Sequence, residues 1–362
     1  MKVALVYDRA NKWGGAERLL LALKKVFPNA DLFTSVLNKN KASWTKEFKK
    51  INTSFLQNFP MASSFHQFYA PLMPIAFESF SFDSYDLVIS VTSESAKGII
   101  TKPSTLHICY CLTPTRYLWS GYEDYFKNSI LRFISKPIIL YLRSWDKIAG
   151  NRPDLYIAIS KEVKMRIKKY YGRESKVIYP PVTLVKNSKS KVQTPGKYFL
   201  VVSRLVPYKR VDIAIKACNK LKLPLKIVGA GSQELYLKLI SGSTVKFLGQ
   251  LSDADLSSYY KNCKALIFPG VEDFGLVMAE AQSYGAPVIA YRGGAAVEII
   301  KEGKTGEFFN EQDSNSLIKV LEKWDNKRYN SFLCIENAQR FSYQNFKQEF
   351  LENIRQAFEL AL

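Results

Sequence analysis

A loop followed by a helix, spanning Pro269 to Tyr284, carries the residues best suited to chemistry. An apolar run ends at Phe268, the loop Gly270-Val271-Glu272-Asp273-Phe274-Gly275 follows, and a helical pattern begins near Leu276. Such a junction offers free backbone N–H groups and the positive end of a helix, both suited to a phosphate or to developing negative charge. Glu272 and Glu280, eight residues apart, can reach different parts of one extended ligand. A carboxylate matches vicinal hydroxyls because its oxygens accept strong, charge-assisted bonds. The plainer alternative is that both glutamates merely favour the N-terminal half of the helix. Arg204 and Lys209 follow another strand-like run and are placed to converge on a diphosphate; as isolated surface cations they would carry no function. Gly14 and Gly15 lie between the first strand and its helix, where a missing side chain permits close approach to phosphate or simply shapes a turn.

These residues need a scaffold, and the hydrophobic pattern describes one. Strand-length apolar runs alternate with helical patterns. Strands are expected at Lys2 to Tyr7, Ala30 to Leu37, Leu87 to Val91, Leu106 to Cys111 and Leu155 to Ser160, with a helix from Gly15 to Phe27. From Thr183 to Lys197 the text turns polar and basic and ends in Pro195-Gly196, so a domain boundary is expected there. Alternation then resumes, with strands at Tyr198 to Ser203, Leu225 to Val228, Val245 to Leu248, Ala265 to Phe268 and Val288 to Tyr291, and a helix at Val211 to Leu221. The fold class expected is α/β, with two tandem Rossmann-like doubly wound domains, residues 1–185 and 186–342. Ligands of such sheets sit beyond the carboxyl ends of the strands, which places the expected site in an interdomain cleft. A last helix, 343–362, follows a cap at Ser342 and presents Phe346, Phe350, Ile354 and Phe358 at helical spacing. It is expected to pack back across the domain interface.

Length and composition agree with two cores: 362 residues, 47% hydrophobic and 14% aromatic, exceed what one core supports and exclude a disordered chain. The formal net charge of +20 would attract nucleic acid, an anionic membrane surface or a phosphorylated substrate. No nucleic-acid motif accompanies it, and the basic residues between Arg132 and Lys169 are read as a docking face for acidic lipid. The first apolar run is broken by Asp8 and Arg9 before a signal-peptide core forms. The most lipid-like stretch, Ser129 to Trp145, is interrupted by Arg132, Lys136, Pro137 and Arg143 and does not span a bilayer. Five cysteines without paired spacing read as buried thiols in a reducing cytosol.

Weaker signals accompany these. Gly229-Ala230-Gly231 ends a strand without completing a dinucleotide fingerprint, so no cofactor is expected. Asp253-Ala254-Asp255 has the spacing of a metal-binding pair, but Ser252 with Asp255 reads better as a helix cap, and no metal is expected. His66 and His107 lack a matching acid or nucleophile and are read as structural.

Glu272-Asp273-Phe274-Gly275-Leu276 through Glu280-Ala281 resembles the paired-glutamate element of the family 4 retaining glycosyltransferases. The likeness continues in Ser203-Arg204-Leu205-Val206-Pro207-Tyr208-Lys209-Arg210-Val211-Asp212, Gly14-Gly15-Ala16-Glu17 and Tyr179-Pro180-Pro181. It covers nearly the whole chain and is nearest to bacterial mannosyltransferases of surface-polysaccharide assembly. The resemblance implies the two-domain fold called GT-B, with the donor sugar contacted by Glu272 and the ribose hydroxyls by Glu280. It also implies that the backbone of Phe274, Gly275 and Leu276 meets sugar and diphosphate, and that Arg204 and Lys209 clamp the diphosphate. Arg204, Lys209 and Glu272 are thereby the catalytic candidates. The implied partners are a nucleotide sugar, GDP-mannose-like, as substrate rather than cofactor, and a glycan or polyprenyl-diphosphate-linked acceptor. The implied location is cytoplasmic, peripheral to the inner face of the membrane. Two departures stand out: Leu112-Thr113-Pro114 where the family commonly has His-Thr-Pro, and Ile159-Ser160 where Asn-Ser is common. A sugar-nucleotide epimerase or phosphorylase on the same fold, or a non-catalytic basic binding protein, are the rival readings.

Overall fold

The computed structural model describes residues 1–126, 128–184, 196–325 and 328–361, apart from the side chains of 124, 131, 360 and 361. The basic run Lys186 to Lys191 and Pro195 of the expected linker lie outside the described residues. Two compact units are formed, one from Met1–Pro181 with Phe346–Leu362, the other from Val182–Asn345.

In the first unit the strands are β1 (Val3–Tyr7), β2 (Asp31–Thr34), β3 (Ile51–Thr53), β4 (Leu87–Thr92), β5 (Leu106–Cys111), β6 (Leu155–Ala158) and β7 (Lys176–Val177). They form one sheet in the order β3-β2-β1-β4-β5-β6-β7, and every pair is parallel. Helices α1 (Gly15–Val26), α2 (Met73–Glu78), α3 (Tyr122–Tyr125), α4 (Ser129–Ala149) and α5 (Lys161–Tyr171) connect them. Every residue of β1, β4 and β5 is buried, which is why these strands read as continuous apolar runs rather than alternating ones. Two expected strands are shorter than the sequence suggested. After Thr34 the chain turns to side-chain bonds, with Ser54 Oγ donating to Ser35 O (2.8 Å). The strand expected to reach Ser160 stops at Ala158 because Ser160 Oγ accepts from Val163 N (3.1 Å) and caps α5.

The second unit holds β8 (Tyr198–Val202), β9 (Leu225–Val228), β10 (Val245–Phe247), β11 (Cys263–Phe268), β12 (Val288–Tyr291) and β13 (Gly306–Phe309), ordered β10-β9-β8-β11-β12-β13 and again parallel. Its helices are α6 (Val211–Lys220), α7 (Glu234–Leu239), α8 (Asp253–Asn262), α9 (Leu276–Ser283), α10 (Ala296–Ile299), α11 (Ser314–Glu322) and α12 (Ser331–Ala338). Ile213, Ala214 and Ala217 of α6 close one face of the sheet against Phe199, Ile227 and Ile267. The final helix, α13 (Tyr343–Ala361), is capped by Ser342 Oγ, which accepts from Asn345 N (3.2 Å). From Phe346 onward it belongs to the first unit, where Phe350 packs against Phe27 and Tyr110 with ring centroids 6.4 and 6.2 Å apart.

Each sheet reverses its strand order beside its first strand, between β1 and β4 in one unit and between β8 and β11 in the other. The carboxyl ends of such strand pairs leave a crevice that open α/β sheets use for ligands.

Candidate functional site

In the second unit the loops after β8 and β11 meet at this switch point. The loop after β8 is shaped by the glycines after β9: a Cβ on Gly229 would fall 1.9 Å from Ser203 O, and one on Gly231 2.3 Å from Leu205 O. Gly229-Ala230-Gly231, too short for a dinucleotide fingerprint, thus serves as a backbone seat for Ser203–Leu205, with Leu205 N donating to Ala230 O (3.0 Å). Pro207–Lys209 then forms a single tight turn, and Arg210 takes a left-handed backbone (φ 51°) to enter α6. A non-glycine residue there stores strain of about 1–3 kcal/mol, which the surrounding packing must hold. Arg204 bonds the Tyr208 hydroxyl, and Lys209 Nζ lies 5.1 Å from the centre of the same ring. The Lys209 ammonium, on a largely buried side chain, pairs with Glu272 Oε1.

That pairing requires the loop after β11 to come very close. A Cβ on Gly270 would sit 3.1 Å from Lys209 O, so a side chain there would push the two backbones apart by a few tenths of an ångström. Glu272 is held from the other side by the turn after β12. Ala295 N donates to Glu272 O (3.0 Å), and a Cβ on Gly294, whose φ is 58°, would fall 2.5 Å from that oxygen. Gln312 Nε2 donates to Pro269 O (2.9 Å) at the start of the loop. Gly275 ends the loop in the left-handed region (φ 85°) and leads into α9. Phe274 turns inward, its ring 5.4 Å from Phe341, leaving Leu276 as the first residue of the helix.

Glu280 lies one turn into α9, 7% exposed, and Tyr260 donates its hydroxyl to Oε2 (3.2 Å). Tyr260 stacks on Tyr284, with ring centres 5.5 Å apart and planes 18° from parallel. Burial first, and the Glu280 charge second, push the Tyr284 hydroxyl above its ordinary pKa. Arg204 and Lys209 share the Tyr208 ring, Lys209 pairs with Glu272, and Gly275 lies against the Glu272 side chain, with Leu276 and Glu280 following on α9. Asp253 and Asp255 are elsewhere, in the first turn of α8, where Ser252 Oγ accepts from Asp255 N (3.2 Å) as a cap.

Gly14 and Gly15 belong to the first unit, past the end of β1. Gly14 precedes α1, and a Cβ there would lie 3.2 Å from Glu17 Oε2; Glu17 is buried and accepts from Tyr7 Oη (2.5 Å). In the sequence Asp8 stands only as an interruption of an apolar run. Asp8 in fact fastens the switch point of this sheet, accepting from Thr92 Oγ1 (2.7 Å), Ser93 N (2.8 Å), Glu94 N (3.1 Å) and Ala96 N (2.9 Å). Burial, then the Glu94 charge, hold its carboxyl above the usual range despite the bonds from Ala96 and Ser93. Beside it Arg9 pairs with Glu94 (2.6 Å). A charged side chain closing a buried strand at its carboxyl end was the available signal.

The crevice of the second unit lies within a stretch that matches a known family, described as glycosyl transferases group 1, over residues 185–348. An uncharacterised glycosyltransferase of Methanocaldococcus jannaschii is 30% identical over 227 residues, 60% of this chain and 62% of that protein. The O-antigen chain mannosyltransferase C of Escherichia coli is 27% identical over 239 residues, 61% of this chain and 62% of that protein. The match thus spans somewhat under two thirds of these curated relatives. Among solved structures, the Anabaena protein HepE in complex with UDP and glucose superposes with a TM-score of 0.70 at 20% identity, covering 98% of this chain and all of that one. Identity this low establishes the fold alone: the paired parallel α/β sheets of the GT-B class extend over nearly the whole of this chain.

Proposed function

We propose that this protein is a retaining glycosyltransferase that moves a sugar from a nucleotide-diphosphate donor to a glycan or polyprenyl-diphosphate-linked acceptor at the cytoplasmic face of a membrane. The observation that carries the reading is the meeting of Arg204, Lys209 and Glu272 at the switch point of the second sheet, beside the helix end at Gly275. In this reading Arg204 and Lys209 hold the diphosphate, the backbone of Phe274, Gly275 and Leu276 adds N–H donors, and Glu280 accepts from the ribose hydroxyls. Glu272 accepts from the sugar while its pair with Lys209 keeps both groups aimed at the crevice. In the first unit, Gly14 and Gly15 permit close backbone approach by a phosphate.

The acceptor hydroxyl attacks the anomeric carbon on the face from which the diphosphate departs, and a diphosphate oxygen takes the hydroxyl proton. Configuration is retained without a protein nucleophile or a metal ion. Rate enhancement comes from orientation and from charge stabilisation of the leaving diphosphate, to which preorganised donors contribute most. The E. coli relative's name supports mannose as the sugar, and UDP in the Anabaena structure supports a nucleoside diphosphate as carrier. GDP-mannose is the first donor to test.

The test supplies the full chain with GDP-mannose, UDP-glucose and UDP-N-acetylglucosamine, each labelled in the sugar, together with a polyprenyl-diphosphate-linked glycan. Label should pass to the lipid-linked product from one donor, and Arg204→Ala with Lys209→Ala should abolish transfer while leaving the circular dichroism spectrum unchanged. Interconversion of donors without transfer, or wild-type turnover in the double variant, would overturn the proposal.

A further inference from the structure

Helix α4 has two apolar faces where a surface helix has one. Its inner face is accounted for: Ile139 and Leu142 pack with Leu118 against Ala70, Tyr117, Trp119 and Tyr122. Asp146, the only acidic residue of the helix, is buried and paired with Lys97 (2.6 Å). The opposite face carries Ile130, Phe133, Ile134, Leu140, Tyr141 and Ile148, all exposed, with Phe133 at 79% and Ile130 at 69%. Their spacing of three, four and seven residues keeps them on one side over nearly the whole helix, about 30 Å long at 1.5 Å per residue. Scattered surface hydrophobes need no explanation, but a continuous apolar face of this length implies something that covers it.

The neighbouring segment extends the pattern. Phe68 is 80% exposed, and Phe65 and Ile75 are exposed as well. That stretch is fastened to α4 through Ala70 and through Trp145 Nε1, which donates to Glu78 Oε1 (2.7 Å). Exposed Lys136 and Lys147 stand along one flank of the apolar face. No helix among the described residues is long and apolar enough to cross a membrane. An apolar face edged by lysines, on a chain of net charge +20, matches in sign and polarity an anionic bilayer surface, where lysine stems reach outward while apolar side chains enter the acyl boundary.

We infer that α4 is an interfacial anchor that lies in the plane of an anionic lipid bilayer, with Phe133, Ile134, Leu140 and Tyr141 inserted below the headgroups. The helix also holds the loop that leaves the carboxyl end of β5: Asp146 accepts from Thr115 Oγ1 (2.8 Å) and Trp119 Nε1 (2.7 Å), and Arg143 Nε donates to Leu118 O (2.7 Å). Anchoring α4 therefore fixes this ligand-facing loop relative to the bilayer, where a lipid-linked acceptor would be found. The lipid-linked acceptor rests on the function proposed above, but the anchor uses none of the residues assigned to the donor, so loss of vesicle binding and loss of sugar transfer are separate outcomes.

Vesicle flotation of the full chain tests it, with phosphatidylcholine alone and with phosphatidylcholine mixed with phosphatidylglycerol. The wild type should float with the mixed vesicles, and Phe133→Glu with Leu140→Glu should lose at least about tenfold in partitioning, since two inserted apolar side chains are withdrawn. Both positions are exposed, so the variant should keep its melting temperature. Lys136→Gln with Lys147→Gln should bind several-fold more weakly and show a flatter salt dependence. Because all five native cysteines are buried, Phe133→Cys can carry an environment-sensitive dye whose emission should shift to the blue on mixed vesicles. No shift, unchanged binding in the glutamate variant, or a wild type that self-associates through this face instead of floating would overturn the inference.

Discussion

At the scale of single residues, Glu280 is the sharpest test of the donor crevice because its carboxylate is buried and accepts from the Tyr260 hydroxyl (3.2 Å). A ribose diol would offer it two further donors. Replacing charge-assisted bonds with those of a neutral amide removes about 1.5–3 kcal/mol, so Glu280→Gln should lower kcat/KM by roughly tenfold to a hundredfold, mainly through a higher KM for the nucleotide sugar. Initial-rate kinetics would check this, and an unchanged KM would remove Glu280 from the ribose. The places of Glu272, Arg204 and Lys209 in loops after strands, and of Glu280 one turn into a helix, were legible in the sequence because local pattern locates those junctions. Gly270, Gly294 and Ala295 were not, since what they do is admit or bind backbone from distant loops. A glycine whose missing Cβ matters only against residue 209 or 272 leaves no local trace.

Among the elements, α4 shows best where pattern reading stops. Pro137 interrupts it, both faces are apolar, and periodicity alone separates neither a core helix nor an interfacial one from a broken hydrophobic run. The edge strands β3 and β7, of three and two residues, are too short for alternation to register. What fixes α4 to the sheet was equally hidden. Asp146 accepts from Lys97 Nζ (2.6 Å), Thr115 Oγ1 (2.8 Å), Trp119 Nε1 (2.7 Å) and Tyr171 Oη (2.8 Å), joining four segments distant in sequence. Burial works against the Lys97 charge, yet the Asp146 carboxylate beside it raises the lysine overall. Asp146→Asn leaves that ammonium buried without its counter-charge, a loss of about 3–5 kcal/mol. Urea denaturation should show a lower midpoint at unchanged slope. Substituting Lys97→Met in addition should recover only part of the loss, because Thr115, Trp119 and Tyr171 would still face an amide instead of a carboxylate.

For the whole molecule, the alternation of strands and helices made the α/β class and its two sheets readable, whereas the return of α13 to the first unit depends on which apolar surface remains uncovered, a property of the assembled fold. The pH dependence of stability is likewise a property of the assembled chain, and its acid limb can be traced to the two histidines. His107 is buried in β5 with Nε2 2.9 Å from Ser90 Oγ, and burial, aided by the Arg152 charge, lowers its pKa to about 3. His66 is lowered to about 4 by burial and then by Arg9 and Lys12. Both are neutral in the fold below the pH at which an unfolded histidine, near pKa 6.5, takes up its proton. The unfolded chain then binds more protons, so stability falls as pH drops from about 6.5 towards 4 and 3. Asp8 acts in the opposite sense, because its raised carboxyl binds a proton in the fold before it does in the unfolded chain. The histidine contribution must therefore be read as a difference between proteins. His107→Gln can keep a bond to Ser90 but cannot be protonated, so its melting temperature should fall less steeply than that of the wild type between pH 7 and about pH 4. Parallel melting curves across that range would show that His107 already carries its proton in the fold.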